Sequence, residues 1–514
     1  MRGTATNSLF ELVHSMQKSE KRYFRLFAQQ QGSQNQNYLR LFDELLKMDR
    51  YDDEVLQKRA VKAGLASNLK ATKKYLYDNI LKCLKLYFVD YCISVKLPDA
   101  LQNMRVLLNK GMFDDAARAY KKIEDIYHTN EQFGGLFDVL TFGERLWRTI
   151  LPGTEAGKKL RSIYQQKQLC LQYLNNLNEY VFLKNEIELV FREVYNGRNS
   201  ANRLQLEEFA DHHLLRSGAH AMSTRAEMER FSCRVLLHLG LNEWTELYEV
   251  SGEALTMIAD KKLDQYFVLN WRSEMHRLRC LAATRLQLES YDADEQAMET
   301  YLGEWSARVN LLDSIAGRFR HLLARCEYLF ATERITPLLV LYLQEEQFVL
   351  DNWKYFDSTL RGHLALLLTQ TFAHRGEFKI ALSWAERITG FERDYALPAQ
   401  IAWARMLELF LHIRLENYAL AVSMARSTYR FLQKHGLLLS TERVLLKHLN
   451  RIAKSEGFEQ EKHWNDLRTA VAELKKDPLE AAYHDGVRLD LLLRTIGVMK
   501  CRQQELDQLR GRLN

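Results

Sequence analysis

The side chains most able to do chemistry in this sequence are crowded between residues 58 and 85. Lys58, Arg59, Lys62, Lys70, Lys73, Lys74, Lys82 and Lys85 stand there against one acid, Asp78, a surplus of +7 in 28 residues. Cations at that density neutralise phosphates and release condensed counterions, which gives affinity for nucleic acid without reading its sequence. Lys58, Arg59, Lys62, Lys70, Lys73 and Lys74 are the candidate anion or nucleic-acid contacts. Two helices separated by Ala63-Gly64-Leu65-Ala66-Ser67 would have helix-turn-helix proportions. Thr72-Lys73-Lys74-Tyr75 would then lie near the start of the second helix, where a groove is met. Arginine is scarce in the stretch, which weighs against base readout, where bidentate arginine is common. The competing reading is a solvated, lysine-rich face on an amphipathic helix, and an acidic protein partner is the third.

No other constellation specifies a reaction. The sequence has no HExxH, no GxSxG, no G-x4-GK[ST] and no GxGxxG following a strand. Glu408 and His412 stand at i and i+4 on one expected helix face, but no second such pair completes a metal site. The seven cysteines, Cys83, Cys92, Cys170, Cys233, Cys280, Cys326 and Cys501, are odd in number and scattered, with no CxxC. That pattern disfavours a disulfide framework or a structural zinc and fits buried thiols in a reducing compartment. No apolar run approaches the roughly 18 residues of a membrane span. The start, MRGTATNSLFELVHSMQKSEK, lacks the apolar stretch of a secretory signal. The expectation is a cytoplasmic protein with no catalytic residues, cofactor or metal, and no membrane association.

The elements that must position these residues are helices. Five prolines and 23 glycines in 514 residues, with 47 % hydrophobic residues, leave a large core and little material for turn-rich β folds or disorder. Residues 1–90 carry the whole net charge of +6, and the remainder is neutral. Ser8-Leu9-Phe10-Glu11 has the form of a capping box and predicts a helix start at Ser8. Further helices are expected over 19–30, 38–48, 52–63 and 68–96, with a loop at 32–37. In the last of these, Leu69, Leu76, Ile80, Leu84, Tyr87 and Tyr91 share one face at about 100° per residue. Lys70, Lys74, Lys82 and Lys85 lie opposite.

From Pro98 onward a helix–turn–helix theme recurs. Its turns read Gly111-Met112-Phe113-Asp114-Asp115-Ala116, Gly376-Glu377-Phe378-Lys379-Ile380-Ala381 and Glu416-Asn417-Tyr418-Ala419-Leu420-Ala421. An aromatic follows the turn residue by two places and an alanine follows the aromatic by three. Expected turns at 242, 289, 333, 376, 416 and 456 are 40–47 residues apart, the signature of a stacked helical array. Within 362–389, Leu368, Phe372, Gly376, Phe378 and Ala381 stand where the tetratricopeptide repeat has Leu, Tyr, Gly, Tyr and Ala. The chain therefore resembles that family. Its period exceeds the family's of about 34, Thr369 replaces an early small residue, and the closing proline is absent.

The resemblance implies an all-α, superhelical array of antiparallel helix pairs, a tetratricopeptide-like α-solenoid. We divide the chain into a basic N-terminal helical region (1–97), the array (98–477) and C-terminal capping helices (478–514). Pro398 and Pro478 open helices, where a missing amide donor is harmless. Trp244, Trp384 and Trp403 fall at helical spacing and read as core. Array proteins bind partners on the concave first-helix face, and Gln370, His374 and Trp403 are the candidate groove residues. The leading expectation is a non-catalytic scaffold that binds a protein or peptide there. The alternative is a nucleic-acid-binding regulator in which the basic region is coupled to a sensing array.

Overall fold

Low proline and glycine content leaves long stretches free to close helical hydrogen bonds, and helices are what form. The computed structural model describes residues 5–30, 36–48, 50–62, 69–89, 93–194, 200–216, 221–259, 265–305, 311–390 and 398–494, with positions 64, 261 and 263. Among the described residues the fold is all-α, without a strand. None of these helices is long and apolar enough to cross a membrane. The chain divides into two units, Met1–Lys167 and Gln168–Asn514.

The first unit begins with α1 (Ala5–Ser15), α2 (Lys18–Gln30), α3 (Gln36–Leu46), α4 (Asp53–Lys62) and α5 (Leu69–Val89). These share one core that buries Leu9, Val13, Phe24, Phe42, Leu56 and Leu76. Helix α1 starts at Ala5, so Ser8 lies inside it and does not cap it. The reciprocal contact of a capping box instead opens α2, where Gln17 N–H donates to the Glu20 carboxylate at 2.7 Å. Asp52 caps α4 by accepting from Val55 N–H at 3.1 Å. Of the loop expected at 32–37, Gln36 and Asn37 already belong to α3, and the rest lies outside the described residues. Of the helix expected over 68–96, α5 covers Leu69–Val89 and α6 (Ile93–Asn109) the end, and residues 90–92 lie outside the described residues. Then come α7 (Phe113–Thr129) and α8 (Phe133–Ile150). Pro98 is inside α6, so the boundary expected between 97 and 98 falls within a helix. The division at 167/168 instead falls within the 42-residue α9 (Gly153–Val194).

The second unit continues through α10 (Ser200–Ala210), α11 (Thr224–Leu241), α12 (Trp244–Ala259), α13 (Gln265–Leu286) and α14 (Tyr291–Trp305). It goes on with α15 (Leu311–Ala331), α16 (Ile335–Asn352), α17 (Ser358–His374), α18 (Phe378–Thr389) and α19 (Pro398–Arg414). It closes with α20 (Tyr418–Lys434), α21 (Ser440–Ile452), α22 (Gly457–Leu474), α23 (Pro478–Val487) and α24 (Leu489–Arg494). Most helices from α10 to α24 pack on the next, and alternate helices also meet: α13 on α15, α15 on α17, α17 on α19, and α19 on α21.

One turn chemistry joins eight consecutive pairs of these helices. Gly111, Glu131, Asn242, Gln287, Glu333, Gly376, Glu416 and Gly436 all adopt left-handed backbone, with φ between 50° and 80°. After each, the next amide reaches back five residues, as in Met112 N–H to Leu107 O at 3.0 Å and Glu377 N–H to Phe372 O at 2.9 Å. The left-handed residue itself bonds three back, as Gly376 N–H does to Ala373 O at 3.0 Å. This double bond pattern satisfies carbonyls that a helix end leaves open. The following residue then adopts one recurring conformation, with φ and ψ of −83° and 67° at Met112, −82° and 64° at Arg334, and −82° and 57° at Glu377. Ala116, Ala381 and Ala421 in the helices that follow are completely buried. Phe378 is buried too, but Phe113 keeps much of its ring at the surface. The alanine, not the ring, is what these turns have in common at the close approach. The turn expected at 289 has its left-handed residue at Gln287, and the one at 456 has it at Gly457.

A left-handed conformation costs an L-residue about 1–2 kcal/mol that glycine does not pay. Gln287 is exposed and carries φ 55°. Gln287→Gly is therefore expected to raise the unfolding free energy by about 1 kcal/mol in urea titration; a loss of stability would show that this turn is not held as described.

Candidate functional site

Because alternate helices meet, residues of α11, α13, α15, α17 and α19 come to face a common space. That space is a cavity of about 1400 Å³, lined also by Tyr483, Val487 and Arg488 from the C-terminal segment. Its wall has a charged section and a neutral section.

The charged section is built from α13, α15 and α17. Arg277 Nη2 lies 2.7 Å from Glu274, and Arg320 Nε lies 2.9 Å from the same carboxylate. Arg320 also donates to Asn270 Oδ1 at 3.1 Å. Burial works against ionisation of Glu274, yet the two guanidiniums hold its carboxyl below the usual range. Glu327 is less well served. Its side chain is 4 % exposed, Arg277 Nη1 stands 3.6 Å away and His363 Nδ1 3.1 Å away. Neither carboxylate oxygen has a hydrogen bond of good geometry. Burial pushes this carboxyl up to about 7 against the pull of Arg277 and Arg285. Burial, then Arg277 and Arg285, hold the His363 imidazole well below its ordinary value.

The neutral section is built from α17 and α19. Gln370 is 6 % exposed, Gln400 0 % and Trp403 4 %. Gln400 Nε2 donates to Thr359 O at 2.9 Å, which ties α19 to α17. Its amide lies against Gly362, where a β-carbon would collide with it. Gln370 Oε1, Gln400 Oε1 and Trp403 Nε1 have no hydrogen-bond partner. A buried polar atom left unpaired costs about 1–3 kcal/mol. The Trp403 ring meets Tyr483 edge-on at 6.1 Å. All three atoms are sealed from solvent, Gln400 Oε1 against Gly362, so they lie just behind the wall and a bound molecule reaches them only after a side-chain shift.

The sequence-predicted groove residues are thus distributed. Gln370 and Trp403 share the cavity wall. His374, one turn beyond Gln370, is not on it: its half-buried ring meets the backbone of Leu491 in α24, and burial holds its pKa low. Trp384 is buried, while Trp244 is half-buried on the cavity wall with Arg285 5.5 Å above its ring. Glu408 and His412 are buried and engaged, Glu408 accepting from Thr389 Oγ1 at 2.7 Å and His412 Nδ1 lying 3.3 Å from Asn417 Nδ2. Sequence reasoning missed Gln400, whose signal was available: a buried amide three residues before Trp403 on an otherwise apolar face. It also missed Glu327, Arg277 and His363, for which no local pattern exists. Cys83, Cys170, Cys233, Cys280 and Cys326 are buried free thiols, and Cys92 and Cys501 lie outside the described residues.

In the first unit, the six candidate cations divide. Lys73 pairs with Asp53 at 3.0 Å and keeps only 16 % of its side chain exposed. Arg59 lies 3.7 Å from Glu44. The Tyr51 hydroxyl and then Lys73 hold Asp53 below the usual carboxylate range. Lys73 and Arg59 therefore do not stand free for phosphate as expected, because acids of α3 and α4 reach them. Lys58, Lys62, Lys70 and Lys74 are exposed. Helix α5 rests on α1, α2 and α3, and α4 rests on α3.

The chain matches no protein-family model, no curated protein and no solved structure.

Glu327 makes the cavity sensitive to pH. A carboxyl raised on folding from 4.5 to about 7 stabilises the fold fully below 4.5 and loses that contribution as pH rises through 7. His363, a lowered base, acts in the opposite sense below its ordinary 6.5. Comparison with Glu327→Gln isolates the first. Between pH 4.5 and 7.5 the unfolding free energy of the wild type is expected to fall relative to the variant by on the order of 3 kcal/mol. A constant difference would remove Glu327 as the titrating group.

Proposed function

We propose that this protein is a non-catalytic scaffold whose second unit is a tetratricopeptide-like array and binds a peptide segment in the groove lined by α13, α15, α17 and α19. The alternating contacts of these helices support the array reading, since stacked pairs bury their cores against neighbours. The observation that carries the binding reading is the set of buried, unpartnered polar atoms on one wall, Gln370 Oε1, Gln400 Oε1 and Trp403 Nε1. Once side chains of the wall shift to uncover them, two acceptors and a donor complement the N–H and C=O groups that every peptide carries. A purely structural wall would gain by being apolar there. The exposed Lys58, Lys62, Lys70 and Lys74 support the second reading, nucleic-acid binding through the first unit. The ion pairs of Arg59 and Lys73 favour a solvated face instead, which places the groove first.

Selection of a phage-displayed random dodecapeptide library on the full chain tests the proposal. Synthetic copies of the enriched peptides are expected to bind wild type and to lose about tenfold or more in Kd on Gln370→Ala and on Trp403→Phe, the loss of one buried hydrogen bond each. Equal affinity for wild type and variants would remove the wall as the site.

A further inference from the structure

The segment after α22 turns back into the cavity. Helix α23 is held by Thr441, whose buried hydroxyl contacts Glu480 and His484 at 2.6 Å each. The Tyr483 ring then meets Trp403 on the cavity wall. At Arg488 the backbone takes a left-handed φ of 50° and reverses into α24. Arg488 Nη1 donates to Ala331 O at the end of α15 at 2.5 Å, and its Nη2 reaches Glu333 at 2.6 Å. Arg494 grips the same Glu333 carboxylate at 2.8 Å. Between the two arginines, Leu489, Leu491, Leu492 and Leu493 are buried in the core shared by α15 to α22. Helix α24 packs on α17, more than 100 residues earlier in the chain. There it meets His374, a residue the sequence assigned to partner contact.

A six-residue helix has almost no stability of its own, so α24 is ordered by the surface it occupies. Leu492 and Leu493 lie against Trp403, Phe410, Leu445 and Leu467. Arg494 remains more than half exposed while paired with Glu333, and exposed pairs are weak. The seat is thus a leucine-binding surface with a carboxylate at one edge, filled from within by a segment whose outer clasp, Arg494, is exposed.

We propose that α23–α24 is a built-in occupant of the groove, and that the partner is a short amphipathic helix of the same chemistry, with contiguous leucines flanked by arginine to engage Glu333. This rests on the groove reading above. It makes binding competitive: a partner helix displaces α24, and the cis segment raises the threshold for entry.

The test uses the full chain and a fluorescein-labelled peptide of its own residues 478–494, PLEAAYHDGVRLDLLLR. Arg488→Ala/Arg494→Ala weakens the cis clasp and leaves the receiving surface intact. Fluorescence anisotropy is expected to show the peptide binding this variant at least tenfold more tightly than wild type, and Glu333→Arg added to it is expected to abolish the gain. Arg494→Ala alone, at an exposed position, is expected to give a smaller gain in the same direction and serves if the double variant unfolds. Equal binding to wild type and to the folded variants, or none to any, overturns the proposal. The library-selected peptides separate the two failures. If they bind wild type and the clasp variants equally, the groove stands and the occupant reading falls; if they bind none, the groove itself falls.

Discussion

A left-handed residue at the end of a helix is the constraint on which the rest depends. It ends one helix, satisfies that helix's last carbonyls, and commits the chain to a new helix, often within two residues, as at Gly111, Glu333 and Gly376. So short a connection makes the two helices antiparallel neighbours. Buried alanines such as Ala381 and Ala421 then let the backbones close. Repetition of the turn every 40–46 residues between Asn242 and Glu416 puts the first helix of each pair beside the first helix of the next. Much of the cavity wall follows from that alternation, because residues of those first helices face it, joined by residues of α9 and of the C-terminal segment. Four of these turns use Asn, Gln or Glu where glycine would be easier, so the geometry is kept at some local cost.

The wall is where burial and polarity are in conflict. In the charged section, the arginines of α13 and α15 compensate Glu274 but leave Glu327 incompletely paired, and burial pushes that carboxyl up to about 7. In the neutral section, three polar atoms are desolvated without recompense. Folding energy alone would replace them with apolar atoms. Their place on residues that line one large cavity is what turns an unexplained cost into a reading of function.

The sequence was most informative where a pattern is local. Low proline and glycine predicted an all-helical chain, and the turn residues at 111, 242, 333, 376 and 416 were legible because a loop of two residues needs small or polar types in a fixed place. The lysine face of α5 was legible from a period of 3.6. The start of α1 was not, since a capping box matches by chance within a helix. Gln370 could be placed on the wall from its distance to the turn, and Trp403 from its place on a first helix of the array. His374 could not be placed, because what covers it comes from α24, more than 100 residues away, and no local pattern reports such a return. The ion network of Glu274, Arg277, Arg320 and Glu327 is hidden for the same reason, among 72 basic and 66 acidic residues.

The central claim is that the wall is polar for a ligand and not for the fold. Gln370→Met keeps the volume and removes the unpaired amide oxygen, so its thermal and urea unfolding tests the claim without any ligand. A wall kept polar for binding requires the variant to be more stable than wild type, by about 1–3 kcal/mol. A variant less stable by a similar amount would mean that the Gln370 amide is a structural partner, and would contradict the account.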